Sequence, residues 1–146
     1  MNVKAVDWVP CNCMSLRQAA RHVSQFYDQQ LAPFGLTLNQ YALLARLATR
    51  GAAPITEVAQ GLVMDRTTLT RNLKPLQAAG LLTQKPNEAD RRSQTLSLTS
   101  RGEQVFALAT PAWAAAQARF EQEVGAGQAA ALRQLLHHVV QTPLLG

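Results

Sequence analysis

The sequence predicts a mainly α-helical fold: a three-helix core closed by a β-hairpin, carried between an N-terminal and a C-terminal helix. Three observations predict it. The chain of 146 residues is 47% hydrophobic but only 5% aromatic, and alanine and leucine dominate, which suits helices better than a sandwich or barrel. Apolar residues recur at three- and four-residue steps along most of its length. One central stretch breaks that period: Thr95, Ser97 and Thr99 alternate with Leu96 and Leu98, as in a half-exposed strand.

Residues 1–12 read as an arm. From about Ser15, Leu16, Ala19, Ala20, Val23, Phe26, Tyr27 and Leu31 form one helical face, which Pro33 and Gly35 stop. Thr37 followed by Gln40 is a capping-box pattern. It opens a helix with Leu38, Tyr41, Leu44, Ala45 and Ala48 inward, ending at Gly51. A short helix follows Pro54, with Thr56 as N-cap, Val58, Ala59 and Leu62 inward, and Gly61 at its exit.

Asp65 caps the next helix, whose apolar stripe is Leu69, Leu73 and Leu76 and whose stop is Gly80. Pro75 lies inside it, removes the hydrogen bond to the Arg71 carbonyl and costs about 3 kcal/mol. The helix therefore kinks there or ends early; Leu76 continues the stripe and argues for keeping it. Two strands follow, Leu81–Lys85 and Gln94–Leu98, around a polar tip from Pro86 to Ser93.

Thr99 caps a long helix to about Val124, with a bend expected at Pro111 and with Trp113 and Phe120 as packing residues. Gly125 and Gly127 break the chain, and a last helix over 128–140 carries Leu132, Leu135, Leu136, Val139 and Val140. Two short helices followed by a hairpin form a winged helix-turn-helix, here spanning 37–103. The single amphipathic helices within 13–36 and 104–146 cannot both bury themselves on so small a head. Pairing of two copies through a dimerisation layer solves this.

Charge is concentrated in the head. The chain carries a net +5, and the stretch from Arg46 to Arg101 holds nine basic residues against four acidic ones, while the ends balance. A basic middle on a neutral scaffold suits a surface that meets phosphates, so double-stranded DNA is the expected partner. No nucleophile elbow, phosphate loop or zinc-hydrolase helix is present, which argues against an enzyme and leaves no cofactor to expect. No secretory leader or membrane-length apolar run is seen, and the expected location is the cytoplasm.

With these elements in place, residues 13–140 resemble the MarR family of bacterial regulators. The wing carries the strongest likeness: Asp90-Arg91-Arg92, then Leu98-Thr99 with Gly102 three residues beyond the threonine. The segment Asp65-Arg66-Thr67-Thr68-Leu69-Thr70-Arg71-Asn72-Leu73, with Leu76 and Gly80-Leu81-Leu82 after it, is similar to the family's recognition helix. The resemblance implies a triangular homodimer with interlocked terminal helices, usually a repressor at pseudo-palindromic sites. It implies release by a small aromatic acid bound between head and dimer layer or, in a subset, by thiol oxidation.

On the recognition helix, Arg66, Thr67, Thr70, Arg71 and Lys74 lie away from the leucine stripe. Arg66 and Arg71 are assigned to base edges, where arginine makes paired hydrogen bonds to guanine, and Lys74 to phosphate. Thr68 either serves the cap or faces DNA. Arg91 and Arg92 at the wing tip suit a minor groove or its flanking phosphates. By resemblance Arg92 is the deeper contact and Asp90 supports the wing arginines. The competing assignment is a winged-helix module that binds protein, which need not keep these cations together.

Signal reception has two readings. Arg21, His22, Tyr27 and Tyr41, with Trp8 if the arm folds back, could line a pocket for an aromatic ligand; plain packing is the alternative for the tyrosines. Cys11 and Cys13 precede the first helix, where a helix N-terminus favours a thiolate open to oxidation. They are too close for an ordinary disulfide to each other, and otherwise serve as small packing residues. Adjacent His137 and His138 point apart, so no metal site is expected.

Overall fold

The computed structural model describes residues 11–62 and 64–145. The chain runs α1 (Asn12–Leu31), a 3-10 turn (Ala32–Phe34), α2 (Leu38–Arg50), β1 (Ala53–Pro54), α3 (Ile55–Gly61), α4 (Arg66–Ala78), β2 (Leu82–Pro86), β3 (Gln94–Leu98), α5 (Ser100–Val124) and α6 (Ala126–Gln141). This is the expected mainly helical, winged helix-turn-helix architecture.

Helices α2, α4 and α5 each start at a side chain that satisfies amides the helix itself leaves open. At α2 the Thr37 hydroxyl accepts from the Gln40 amide and the Gln40 side chain accepts from the Thr37 amide, a full capping box. At α4 the Asp65 carboxylate accepts from the Thr68 amide at 2.6 Å. At α5 the Thr99 hydroxyl accepts from the Gly102 amide at 3.0 Å. Left-handed glycines end the turns after α2 and α4, with φ of +80° at Gly51 and +73° at Gly80.

Several boundaries differ from expectation. Helix α1 begins at Asn12, because the Ser15 amide already bonds the Cys11 carbonyl at 2.9 Å. Cys13 is therefore inside the first turn and residues 11–12 of the expected arm belong to the start of α1, while the rest of that arm, Trp8 included, lies outside the described residues. Helix α3 begins at Ile55 with Pro54 as N-cap, so Thr56 is an exposed helical residue and not the cap. Tertiary contact decides this: Ile55 is drawn into the core, and Pro54 is extended because it pairs with β3. Gly127 lies within α6, and Gly125 alone, at φ +101°, makes the break. Pro75 and Pro111 sit inside continuous helices.

The sheet has the order β1-β3-β2, all antiparallel. Its centre is Leu96, fully buried, opposite Ala53 on one side and Gln84 on the other. Beneath it Leu31, Leu43, Leu44, Val58, Leu69 and Leu76 close one core. At roughly 1.5–3 kcal/mol per buried aliphatic side chain, this cluster is the main stabilising term of the head.

Three hydrogen bonds tie α1, α2 and α5 into a triangle, one for each pair of helices. The Asp28 carboxylate on α1 accepts from the Leu38 amide that opens α2, at 2.7 Å. Tyr41 on α2 meets the Thr110 hydroxyl on α5 at 3.1 Å. Thr110 spends its own proton on the Phe106 carbonyl, so Tyr41 is the donor. Tyr27 on α1 donates to Gln117 on α5.

The terminal helices are less well covered. Of α6 only Ala129 is buried, whereas Leu135 and Val140 are each 63% exposed. In the first half of α1 Met14 and Leu16 are also exposed.

Candidate nucleic-acid interface

Helix α4 presents two faces. Leu69, Leu73 and Leu76 are buried, which turns Arg66, Thr67, Thr70, Arg71 and Lys74 to solvent. Thr68 is half-buried, and its amide is the group that Asp65 caps. That bond, reinforced by the Thr68 hydroxyl, holds the Asp65 carboxyl below the usual aspartate range. Thr70 donates its hydroxyl to the Arg66 carbonyl at 2.8 Å, leaving its methyl and a lone pair outward.

The wing tip is held by its own backbone and short polar side chains. The Asn87 amide donates to the Ser93 carbonyl at 2.9 Å, and the Asn87 side chain accepts from the Ala89 amide at 3.0 Å. Asp90 accepts from the Arg92 amide at 3.0 Å, so it shapes the turn through the backbone and leaves both guanidinium groups unpaired by it. Arg91 and Arg92 are fully outward. Among the described residues the ion pairs are Arg46–Glu57 at 3.4 Å and Arg133–Glu121 at 3.2 Å. Among the described residues, the cations of α4 and of the wing tip thus form no ion pair.

Two supports were not visible from local sequence pattern. Gln77 on α4 donates to Gln84 on β2 at 2.7 Å, tying the recognition helix to the wing. Arg46 on α2 donates to the Gly51 carbonyl and pairs with Glu57 on α3. Both join residues on different elements, where no helical or strand spacing brings them together.

The four residues considered for a ligand pocket are not gathered into one cavity. Arg21 and His22 are exposed and border a shallow hollow along α1 with Ser15, Gln18 and Gln25. Tyr27 and Tyr41 are buried. The Tyr41 ring fills the space between α2 and α5, 5.5 Å from Phe106 and nearly parallel to Trp113 at 5.8 Å. A second hollow runs between α1 and α5, bordered by His22, Phe26, Arg119, Phe120 and Glu123. There the Arg119 guanidinium lies 5.5 Å over the Phe26 ring. Cys11 and Cys13 are free and exposed. Among the described residues no cluster of ligands that could hold a metal occurs, and no helix is long and apolar enough to cross a membrane.

Comparison with known proteins agrees with this architecture. A MarR family model matches residues 34–93, from the end of the 3-10 turn to the wing tip. The organic hydroperoxide resistance transcriptional regulator of Bacillus subtilis is 32% identical over 62% of this chain and 61% of its own length. The matched stretch thus spans about three fifths of the length of such curated relatives. Among solved structures, the Mycobacterium tuberculosis regulator MosR in complex with DNA is 31% identical, with a TM-score of 0.74 over 91% of this chain and all of that one. The repressor CouR bound to a 23-mer duplex is 26% identical, with a TM-score of 0.80 over 90% and 93% of the two chains. From the wing motif, the capped recognition helix and these likenesses, the chain belongs to the MarR family of winged helix-turn-helix transcriptional regulators.

Proposed function

We propose that this protein is a sequence-specific DNA-binding regulator that represses transcription as a homodimer on a pseudo-palindromic operator. The observation that carries the reading is the set of outward cations that form no ion pair among the described residues: Arg66, Arg71 and Lys74 on α4 with Arg91 and Arg92 on the wing. Helix α4 enters the major groove, where Arg66 and Arg71 read base edges, Thr67 and Thr70 offer methyl and hydroxyl contacts, and Lys74 neutralises phosphate. The wing arginines take the adjacent minor groove. The solved relatives MosR and CouR, both bound to DNA, support this reading. The exposed leucines and valines of α6 support pairing of two copies through residues 13–36 and 104–146.

For release, the geometry favours thiol oxidation. Cys11 and Cys13 are exposed at the start of α1. A peroxide oxidises one thiol to a sulfenic acid and is itself reduced to an alcohol or water. Condensation with a thiol of the partner subunit then closes a disulfide and releases water. The hollow between α1 and α5, with Phe26 and Phe120 as walls and Arg119 as the cation, supports a second reading in which a small aromatic acid is the signal.

The test is selection of bound duplexes from a random pool with reduced protein. The expected result is an inverted repeat with half-sites about one helical turn apart, lost on peroxide treatment in the wild type and retained in the Cys11→Ser/Cys13→Ser variant. Release of the recovered duplex by aromatic acids instead would transfer the signal to the α1–α5 hollow. No enrichment would overturn the DNA reading and point to a protein partner for the head.

A further inference from the structure

We infer that Asp28 is the positioning residue that sets the angle between the terminal helices and the DNA-reading head. The inference rests on the functional reading above. Helix α1 ends at Leu31, and the chain reverses through the 3-10 turn and Gly35, at φ +71°, before α2 begins at Leu38. Few residues span this reversal, and backbone bonds across it are short-range, Gly35 to Ala32 and Leu36 to Leu31, so the angle it sets depends on the core packing of Leu31 and Leu36 and on side chains that bridge it. Asp28 reaches across this reversal. Its carboxylate accepts from the Leu38 amide ten residues later, at 2.7 Å.

The acceptor suits the place. The capping box of α2 satisfies the Thr37 and Gln40 amides and leaves the Leu38 amide open. A carboxylate from another helix takes this amide and meets the positive end of the α2 dipole. The other two sides of the helix triangle are bonds between neutral groups, Tyr41 with Thr110 and Tyr27 with Gln117, both ending on α5. Among the described residues Asp28 supplies the α1–α2 side chain hydrogen bond, and it is the one charged member of the triangle. Cys11 is the N-cap of helix α1, and Cys13 lies in its first turn. A displacement of α1 therefore reaches the first helix of the head through this carboxylate.

The consequence is geometric. If the heads of a dimer are held at a fixed angle, the protein accepts one half-site spacing and rejects others. Without Asp28 each head still recognises its half-site but the angle between heads relaxes. Asp28→Asn keeps an acceptor oxygen at the same position and restores the angle; Asp28→Ala does not.

Two measurements on the full chain test this. The first is affinity for inverted repeats whose spacing is varied one base pair at a time. Asp28→Ala is expected to weaken binding at the preferred spacing by about tenfold, the scale of one hydrogen bond, with little change at other spacings, and Asp28→Asn, which keeps an acceptor, to recover the spacing preference. Equal weakening at every spacing, or an unchanged profile, overturns the inference. The second needs no DNA. Spin labels at Gln18→Cys on α1 and Thr83→Cys on β2, in a Cys11→Ser/Cys13→Ser background diluted with unlabelled chains, report the intrachain distance. Its distribution is expected to broaden in Asp28→Ala and narrow again in Asp28→Asn; an unbroadened distribution overturns the inference. If the wild type binds no duplex, the functional reading fails and the distance measurement alone decides the role of Asp28.

Discussion

The Thr99 hydroxyl donates to the Gly80 carbonyl at 2.6 Å while accepting from the Gly102 amide at 3.0 Å. One side chain therefore joins the turn that ends the recognition helix to the first turn of α5. The Thr99 amide adds a bond to the Leu81 carbonyl at 3.1 Å. Gly102 is required by the same closeness, since a Cβ there would run into the Leu81 carbonyl oxygen and the Leu98 side chain. The Leu-Thr-x-x-Gly signature of the wing is thus the lock between wing, recognition helix and α5.

Thr99→Ala should therefore destabilise by about 1–2 kcal/mol, the range for loss of an N-cap. Gly102→Ala should cost about as much or more, because backbone rather than a flexible side chain must give way. Urea denaturation of the two variants checks both, and a neutral Gly102→Ala would contradict the close packing described.

Cations on the two reading surfaces should differ in kind. Arg66→Ala or Arg71→Ala should lose about 1–3 kcal/mol on the preferred duplex and relax the choice of base at one position. Lys74→Ala should weaken all sequences alike and reduce the slope of log affinity against log salt by about one. Arg92→Ala should weaken binding chiefly where the flanking minor groove is narrow, as in A-tracts. Titrations at several salt concentrations on matched duplexes separate these outcomes.

The start of α4 should be acid-sensitive. Asp65 has its carboxyl held below the ordinary range by the Thr68 amide. A carboxyl depressed in the fold contributes stability that is present above its unfolded value and is lost as pH falls through the folded one. Amide exchange at Thr68 should accelerate over that acidic window. Asp65→Asn, still a competent cap, should abolish the pH dependence while keeping most of the protection at neutral pH.

The apolar face of α6 should be dispensable for the head and essential for pairing. Leu135→Glu with Val140→Glu places two charges on side chains that the folded subunit leaves exposed. Sedimentation should then report monomers, circular dichroism should report a retained helical fold, and affinity for an inverted repeat should fall to that of a single half-site. A dimer that survived both substitutions would move the interface elsewhere.

What was legible in the sequence follows from how local each signal is. The caps at Thr37, Asp65 and Thr99 act on amides three residues away, and all three were readable from spacing. The leucine stripe of α4 was equally plain, and it alone turned Arg66, Arg71 and Lys74 outward. Strand β1 was invisible because it is two residues long, contains a proline, and exists through pairing with β3. The same pairing moved the cap of α3 from Thr56 to Pro54. Tyr41 looked like a pocket residue because sequence cannot tell that Phe106 and Trp113, far along the chain, already occupy the space around its ring. The Asp28–Leu38 and Gln77–Gln84 bonds join different elements, so no periodicity announces them.

The closure of the wing tip has one more consequence. The bond from the Asn87 amide to the Ser93 carbonyl seals the hairpin below the arginines. The central strand β3 is meanwhile fixed from the other side by β1. Residues 88–92 therefore form an exchangeable cassette above a sealed neck. Such a cassette can lengthen, shorten or change composition without shifting the strand register beneath it. Replacing the arginines at its tip therefore changes what the wing can touch, while the strands beneath and the helices that fold the chain keep their places.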